Sequence, residues 1–397
     1  MEKKPIGLGV VGLGRAFTLM LPTFVQDERI RLVAAVDPQP GPCAQFEVDF
    51  GGRVYDSVKA LCGDPLVEAV YIASPHQYHA EHVAIAASAG KAVLVEKPLA
   101  ITLEDCTRIV DVAHEAGVPI VVGHSHSFDG PVLHAARLIQ SGTLGRPRML
   151  HTMNYTDYLY RPRRPEELDT RQGGGVVFSQ AAHQVDIVRL LLGGEAVSVR
   201  AYTGCWDATR PTEGAYMALV GFEGGAFASL TYSGFAHYDS DQLMGNISEM
   251  GEIKPLDAYG QIRARLASAN AEQEALLKAA RNYGGSAYRP MSVSAGAYHQ
   301  HFGPVIVSMD HADISLTPEG LWVCGNTQRE LRPTPKCDVP RVEVVDELWA
   351  SVREVRPPLH SAAWARANIE VCLAILESAR TGKEVRLSHQ VKAGIVA

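Results

Sequence analysis

Val93-Leu94-Val95-Glu96-Lys97-Pro98 is the stretch from which the fold can be read. Residues 92–95 are apolar without alternation, the pattern of a strand buried on both faces of a parallel sheet. Pro98 cannot donate to a strand ladder and biases Lys97 towards extended backbone, which puts the lysine at the strand's carboxyl end. Ligands of open α/β sheets bind at that edge. Lys97 is then either a solvated strand-end residue or a proton carrier. The second reading requires a cofactor and a substrate site elsewhere in the chain.

Upstream, residues 6–11 form a strand, followed by Gly12-Leu13-Gly14-Arg15-Ala16-Phe17 and a helical stretch to about Val25. This is G-x-G-x-x-G with Phe17 in place of the third glycine. Two glycines suffice for the tight turn and for close approach of a pyrophosphate to the helix start at Gly12, Gly14, Arg15 and Ala16. A G-x-G alone is a weak signal, but the second strand, 31–36, ends in Asp37, 23 residues after Gly14. A carboxylate there accepts hydrogen bonds from an adenosine ribose and repels a 2′-phosphate, so NAD is favoured over NADP.

The alternation continues downstream. Residues 68–73 form a strand ending in Ser74-Pro75-His76, then come a helix over 77–89, the Lys97 strand, a helix capped by Thr102 and Asp105, and a strand at 120–122. Such alternation predicts a doubly wound parallel sheet. His76, His79 and His82 lack the cysteine or carboxylate spacing of a metal site, so no metal is expected. His79 is expected to line the nicotinamide side of the cofactor cleft.

At 397 residues the chain is long enough for two domains. A net charge of −7 argues against a nucleic-acid or membrane-surface partner. No apolar run approaches the ~20 residues of a membrane span. Seven scattered cysteines without CxxC spacing predict thiols of a reduced, cytoplasmic protein.

Five features in order resemble the Gfo/Idh/MocA family of nicotinamide-dependent oxidoreductases: Gly12-Leu13-Gly14, Ser74-Pro75 with His79, Glu96-Lys97-Pro98, Phe128-Asp129-Gly130-Pro131 and Gly142-Thr143-Leu144-Gly145. The resemblance spans nearly the whole chain. It implies a Rossmann domain over 1–125, with Ser74, Pro75, His79, Glu96 and Lys97 at the cofactor. Residues 126–397 would form an α+β substrate domain with an open, mostly antiparallel sheet. One face of that sheet would cover the active site and the other would pair with a second subunit, giving a homodimer or homotetramer.

Within the second domain, strands are expected at 149–155, 197–203, 215–222, 226–232, 305–308 and 321–323. A helix over 179–192 follows Gly173-Gly174-Gly175, and Ser179, Gln180 and His183 share one of its faces. His183 matches the family's substrate-facing histidine. Ser179 stands where the family usually has aspartate, and Ser125-His126 replaces an asparagine-arginine pair. Arg161, Arg163, Arg164 and Arg171 approach this helix, either as a solvated loop or as a clamp for substrate carboxylates. His301 in Tyr298-His299-Gln300-His301-Phe302-Gly303 is a further substrate-binding candidate. Residues 239–290 read as an insertion that could be a lid, a subunit-contact arm or a mobile segment. Helices at 342–355 and 361–381 pack on the sheet or back on the first domain.

These departures, with the arginines, resemble the family branch that oxidises the cis-4,5-dihydrodiol of phthalate to 4,5-dihydroxyphthalate. The resemblance implies an anionic aromatic substrate, Lys97 as proton acceptor and His183 assisting. A sugar or inositol dehydrogenase acting on a polyol, and a non-catalytic NAD-binding regulator, are the alternatives.

Overall fold

The computed structural model describes residues 4–256, 261–289 and 297–396. The chain divides into two compact units. The first comprises Met1–His124, Leu276–Ser294 and Cys337–Arg366, and the second Ser125–Ala275, Ala295–Lys336 and Ala367–Ala397.

In the first unit the order is β1 (Ile6–Val11), α1 (Arg15–Gln26), β2 (Ile30–Val36), α2 (Pro40–Phe50), β3 (Arg53–Val54), α3 (Val58–Cys62), β4 (Ala69–Ile72), α4 (His79–Ser88), β5 (Ala92–Val95), α5 (Leu103–Ala116) and β6 (Ile120–Val122). The strands form one parallel sheet ordered β3-β2-β1-β4-β5-β6. Strands β1, β4, β5 and β6 are buried at every residue, which is why they read as unbroken apolar runs. The strand order reverses between β1 and β4, so the crevice expected of such sheets lies at the ends of these two strands.

Elements of the second unit follow: α6 (Gly130–Gln140), β7 (Pro147–Tyr155), α7 (Ala182–Leu192), β8 (Ala196–Gly204), β9 (Ala215–Phe222), β10 (Phe227–Ser233), α8 (Gln261–Leu266), α9 (Ala271–Ala280), β11 (Val305–Met309), β12 (Ala312–Thr317), β13 (Gly320–Gly325) and β14 (Arg329–Pro333). After them come α10 (Val342–Arg353), α11 (Ala362–Thr381) and β15 (Val385–Arg386). The nine-stranded sheet runs β14-β13-β12-β11-β7-β10-β9-β8-β15 and is antiparallel except between β7 and β10. Period-two burial is clean in its centre: Tyr216, Ala218, Val220, Ala228, Leu230 and Tyr232 point inward. Met149, Met217, Leu219, Phe227 and Ile306 are exposed on the alternate positions, the face at which the resemblance places a second copy. Helix α7 is joined to the inward side by Gln184, whose amide donates to the Thr231 carbonyl at 3.1 Å and accepts from Tyr216 Oη at 2.7 Å.

Leu276–Ser294, read as part of the second domain, belongs to the first unit, and so does Cys337–Arg366, whose helix was expected on the sheet or back on the first domain. Tyr283, within the segment read as an insertion, packs its ring edge-on against Phe17 at 5.2 Å. Its N–H donates to Thr18 Oγ1 at 2.8 Å and its hydroxyl to Asp49 at 2.6 Å. Phe17, in place of the third glycine, also meets Phe46 at 6.4 Å, so the missing glycine is explained by an aromatic cluster on α1. Likewise α10 anchors to the first unit through Arg353, whose guanidinium meets Glu68 at 2.8 Å. The sheet edge at β6 is extended by a Val122 N–H bond to the His360 carbonyl, 2.8 Å.

Candidate active site

In the first unit the chemistry gathers at the strand ends. Gly12 has φ +94°, and a Cβ there would lie 2.9 Å from the Ala73 carbonyl and the Ser74 nitrogen, so the turn demands glycine. Gly14 caps α1, and a Cβ on it would meet nothing within 4 Å. Arg15 is exposed and Ala16 half-buried in the first helical turn, which contains no acidic residue. An open glycine at a helix N-terminus without competing carboxylates fits a dinucleotide pyrophosphate.

Asp37 does more than the sequence suggested. Its Oδ2 accepts from Leu13 N–H at 2.7 Å and its Oδ1 from Gln39 N–H at 2.8 Å, fastening the glycine turn to the end of β2. A carboxylate retains acceptor capacity beyond these two bonds for ribose hydroxyls. Asp37→Ala is therefore expected to weaken NAD binding by about 1–3 kcal/mol, through the lost ribose acceptor and the orphaned Leu13 amide together. Titration of protein fluorescence with NAD measures it, and unchanged affinity would remove Asp37 from the cofactor site.

Three of the expected cofactor contacts take other partners. Ser74 Oγ lies 2.9 Å from His82 Nδ1, with Tyr78 stacked on the His82 ring; Pro75 precedes the short turn His76–Tyr78. His79 is fully buried; its Nε2 lies 2.9 Å from the Ser74 carbonyl, and its Nδ1 3.1 and 3.2 Å from those of Pro98 and Leu99. Burial pushes its pKa down to about 4 against the pull of these carbonyls. Rather than lining a nicotinamide pocket, His79 braces the loop after β4 to the loop after β5. Glu96, placed at the cofactor by the resemblance, turns inward: Tyr71 Oη donates to it at 2.5 Å. Burial raises the Glu96 carboxyl, and the Tyr71 hydroxyl and the Lys97 and Arg341 charges offset part of that rise.

Glu96 N–H still bonds the Ile72 carbonyl and Gly123 N–H the Val95 carbonyl, so Lys97 is the first residue past the ladder. It is half-buried, and its bond to Pro98 is cis.

In the second unit the expected regular helix begins with a π-helical segment, Val177–Ala181, before α7. The glycine run ahead of it has a steric cause. A Cβ on Gly175, at φ +81°, would lie 2.1 Å from Glu213 Oε1, which accepts from Val177 N–H at 3.2 Å. The wider turn breaks the i, i+4 line on which Ser179 and His183 were expected to share a face. Ser179 is half-buried, and Gln180 accepts from Tyr232 Oη at 3.2 Å.

His183 is buried beside the short turn His126–Phe128. Its ring centroid lies 4.9 Å from that of His126 and 5.0 Å from that of Phe302, while His126 and Phe302 are 4.8 Å apart. His183 Nδ1 lies 3.4 Å from the His126 backbone nitrogen and 3.3 Å from Ser125 Oγ. A backbone N–H only donates, so Nδ1 carries the lone pair and the ring proton sits on Nε2. His126 Nδ1 is 2.7 Å from Asp129 Oδ2.

The clamp expected of the arginine loop is not preformed. Arg161 Nε donates to Asp157 at 2.7 Å and its Nη2 to Glu249 at 3.2 Å. Burial opposes its charge, but these carboxylates outweigh it and raise the pKa. Arg163 donates through Nε and Nη2 to the Tyr158 carbonyl and stacks over the Tyr158 ring at 3.7 Å. Arg164 meets Glu166 at 3.1 Å, and Arg171 meets Asp169 at 3.1 Å. The reading of a solvated loop balanced by Glu166, Glu167 and Asp169 describes Arg164 and Arg171, while Arg161 pairs outside the loop, with Asp157 and Glu249. His301 is corrected too: Gly303 N–H donates to its Nδ1 at 3.0 Å and its Nε2 faces the Ile247 carbonyl at 2.9 Å. Both nitrogens serve the backbone, so the ring braces a loop and its neighbour Phe302 meets the histidines.

Sequence reasoning missed Phe302, Glu249 and Tyr232. Burial pushes the Glu249 carboxyl up, yet Arg161, His126 and His301 prevail and hold it below its ordinary value. Nothing periodic surrounds Glu249, which lies in a loop closed by the isolated bridge Ile247–Ile253. Among the described residues no cluster of His, Cys, Asp or Glu is arranged to hold a metal ion, and no helix is long and apolar enough to cross a membrane.

Comparison with known proteins adds the following. Residues 6–124 match the model of the oxidoreductase family with an NAD-binding Rossmann fold, and residues 132–248 match the GFO/IDH/MocA C-terminal domain. The chain is 48% identical over 375 residues, 94% of each protein, to 1-carboxy-3-chloro-3,4-dihydroxycyclohexa-1,5-diene dehydrogenase of Comamonas testosteroni. It is 35% identical over 199 residues to inositol 2-dehydrogenase 2 of Saccharopolyspora erythraea, covering 50% of this chain and 56% of that one. A crystal structure from Bordetella bronchiseptica RB50, assigned as a dehydrogenase, superposes with a TM-score of 0.91 at 38% identity, over 96% of this chain and all of that one. With the doubly wound sheet, the glycine turn and the second-unit sheet in place, the chain belongs to the Gfo/Idh/MocA family of NAD-dependent oxidoreductases.

Proposed function

We propose that the protein oxidises a cis-dihydrodiol of a carboxylated cyclohexadiene to the corresponding catechol. The observation that carries this reading is the 48% identity, across 94% of both chains, to the Comamonas testosteroni dehydrogenase named for a carboxylated dihydroxycyclohexadiene. The packed rings of His126, His183 and Phe302 suit a flat unsaturated substrate, whereas a polyol calls for a denser set of hydroxyl partners.

NAD, when bound, supplies the acceptor for the hydride that leaves the carbinol carbon. Lys97 takes the proton of the same hydroxyl, and the His183 Nε2–H holds the oxygen by donating to it. A histidine presenting N–H to the oxygen orients it and leaves proton removal to the lysine. Loss of hydride and proton gives a hydroxydienone, which tautomerises to the catechol, and aromatisation makes the oxidation strongly favourable.

The phthalate 4,5-dihydrodiol is the narrower form of this reading. A second substrate carboxylate would have to draw a guanidinium from its present partners, and Arg161, shared between Asp157 and Glu249, is the candidate. Reduced-nicotinamide absorbance with mono- and dicarboxylated cis-dihydrodiols, inositols and aldoses tests both forms. Turnover of a carboxylated dihydrodiol with kcat/KM at least about 100-fold above any polyol is expected, a gap that unpaired polar groups readily create. Preference for inositol would overturn the substrate class.

A further inference from the structure

Four buried polar side chains behind His183 have no part in the chemistry above. Ser127 Oγ donates to Asp186 Oδ2 at 2.5 Å. Asp186 Oδ1 accepts from Asn368 Nδ2 at 2.9 Å, and Asn368 Oδ1 accepts from Arg189 Nη1 at 2.6 Å. Arg189 also donates to the carbonyls of Gly194 and Val391 and to Gln390 Oε1. Ser127 and Arg189 are fully buried, and Asp186 and Asn368 are 3% and 7% exposed.

The direction of each bond is fixed. Arg189 can only donate, so Asn368 must present its oxygen to Arg189 and its amide hydrogens to Asp186. Asp186, receiving from Asn368 on one oxygen, receives from the Ser127 hydroxyl on the other. The charge of Arg189 is thus relayed through an amide to a carboxylate that grips the middle residue of the turn His126–Phe128. Asp186 lies one helical turn after His183 on α7, so this grip sets where the turn sits against the helix that carries His183. The consequence falls on His126: its backbone N–H is aimed at His183 Nδ1, the contact that puts the ring proton on Nε2.

We infer that Ser127 and Asp186 are positioning residues that fix the tautomer of His183. Catalytic relevance rests on the role given to His183 above; the tautomer itself does not. Without the Ser127–Asp186 bond the turn loses one of its links to α7 and the long His126 N–H contact to Nδ1 loosens; Ser125 Oγ, which can donate or accept, then suits a proton on either ring nitrogen. A hydrogen bond needed only for folding would change stability and leave the tautomer alone.

The test uses the full-length protein with ¹⁵N-labelled histidine, His183 being assigned by loss of its signals in His183→Asn. In the wild type, His183 should show a proton-bearing Nε2 and a bare Nδ1. Ser127→Ala, a small truncation, should show a mixture of tautomers. Its kcat should fall about 10- to 100-fold, the scale of a misplaced catalytic group, with KM for NAD unchanged. Asp186→Leu, close in volume but with no acceptor, should behave alike, because the Ser127 hydroxyl and the Asn368 amide lose their common acceptor. Ser127→Ala that keeps the wild-type tautomer overturns the inference, whatever its activity. If His183→Asn retains full kcat while Ser127→Ala scrambles the tautomer, the chain stands and the role of His183 fails.

Discussion

Lys97→Met is expected to lower kcat by about 10²–10⁴-fold, the usual contribution of a general base, with NAD binding retained. Methionine keeps the length and the apolar stem at the end of β5 and removes the amine. The strand is secured by its own ladder and by Tyr71 beneath Glu96, so the fold does not depend on the ammonium. The wild-type rate should rise with pH through one ionisation as the base loses its proton, and that limb should vanish in the variant. His183→Asn should cost less, because it deletes a donor and leaves the acceptor of the proton in place. Single-turnover formation of reduced nicotinamide reads both. A folded Lys97→Met enzyme with near-normal kcat would transfer the proton to another group and leave Lys97 as a strand-end residue.

Arg210→Ala is expected to destabilise the second unit by about 3–5 kcal/mol, the cost of stranding a buried charge. The guanidinium holds both oxygens of Glu274, at 2.9 and 2.8 Å, and the two side chains are 8% and 6% exposed. Removing the fork leaves that carboxylate with the Arg163 N–H, 3.1 Å away, and little access to water. Urea unfolding should show the loss, and Arg210→Met/Glu274→Leu should recover most of it, because the penalty comes from the unmatched charge and not from a missing attraction. Arg171→Ala is the control: its partner Asp169 is a surface neighbour, and little change is expected. Equal stability of Arg210→Ala and wild type would mean that water reaches Glu274.

What could be read in advance follows from period and punctuation. The first unit was legible because buried parallel strands are continuous apolar runs, and Gly12, Gly117 and Pro98 mark their limits. In the second sheet β9 matched its expected range, while β12, β14 and β15 escaped. Strand β14 has no buried residue on either face and β15 has two residues, too few to alternate. The π-helical segment escaped because no residue type signals a wider turn; its cause is Glu213 pressed against Gly175, a contact made across the fold. The partners of Arg161 escaped for a related reason. Composition reveals a surplus of guanidinium groups in one loop, but which of them stay available depends on Glu249, 88 residues away from Arg161 in sequence. His301 and Phe302 show the limit most sharply: the expected substrate contact braces a loop, and its neighbour, of which nothing was expected, meets the histidines.

The division of the chain into interleaved segments bears on synthesis. The first unit draws on residues up to Arg366, and the polypeptide passes from one unit to the other five times. As the chain emerges, the glycine turn and β1–β6 are made early, but the ring that packs on Phe17 arrives with Tyr283 and the guanidinium that meets Glu68 with Arg353. Until then the nascent dinucleotide half carries an uncovered aromatic face on α1 and an unmatched carboxylate beside β1. Contacts spanning some 270 to 290 residues are slow to form, because a long loop must close before any of them is gained. The part of the protein made first is therefore among the last to be finished, and the interval before Tyr283 docks is when it is most exposed to association with other chains.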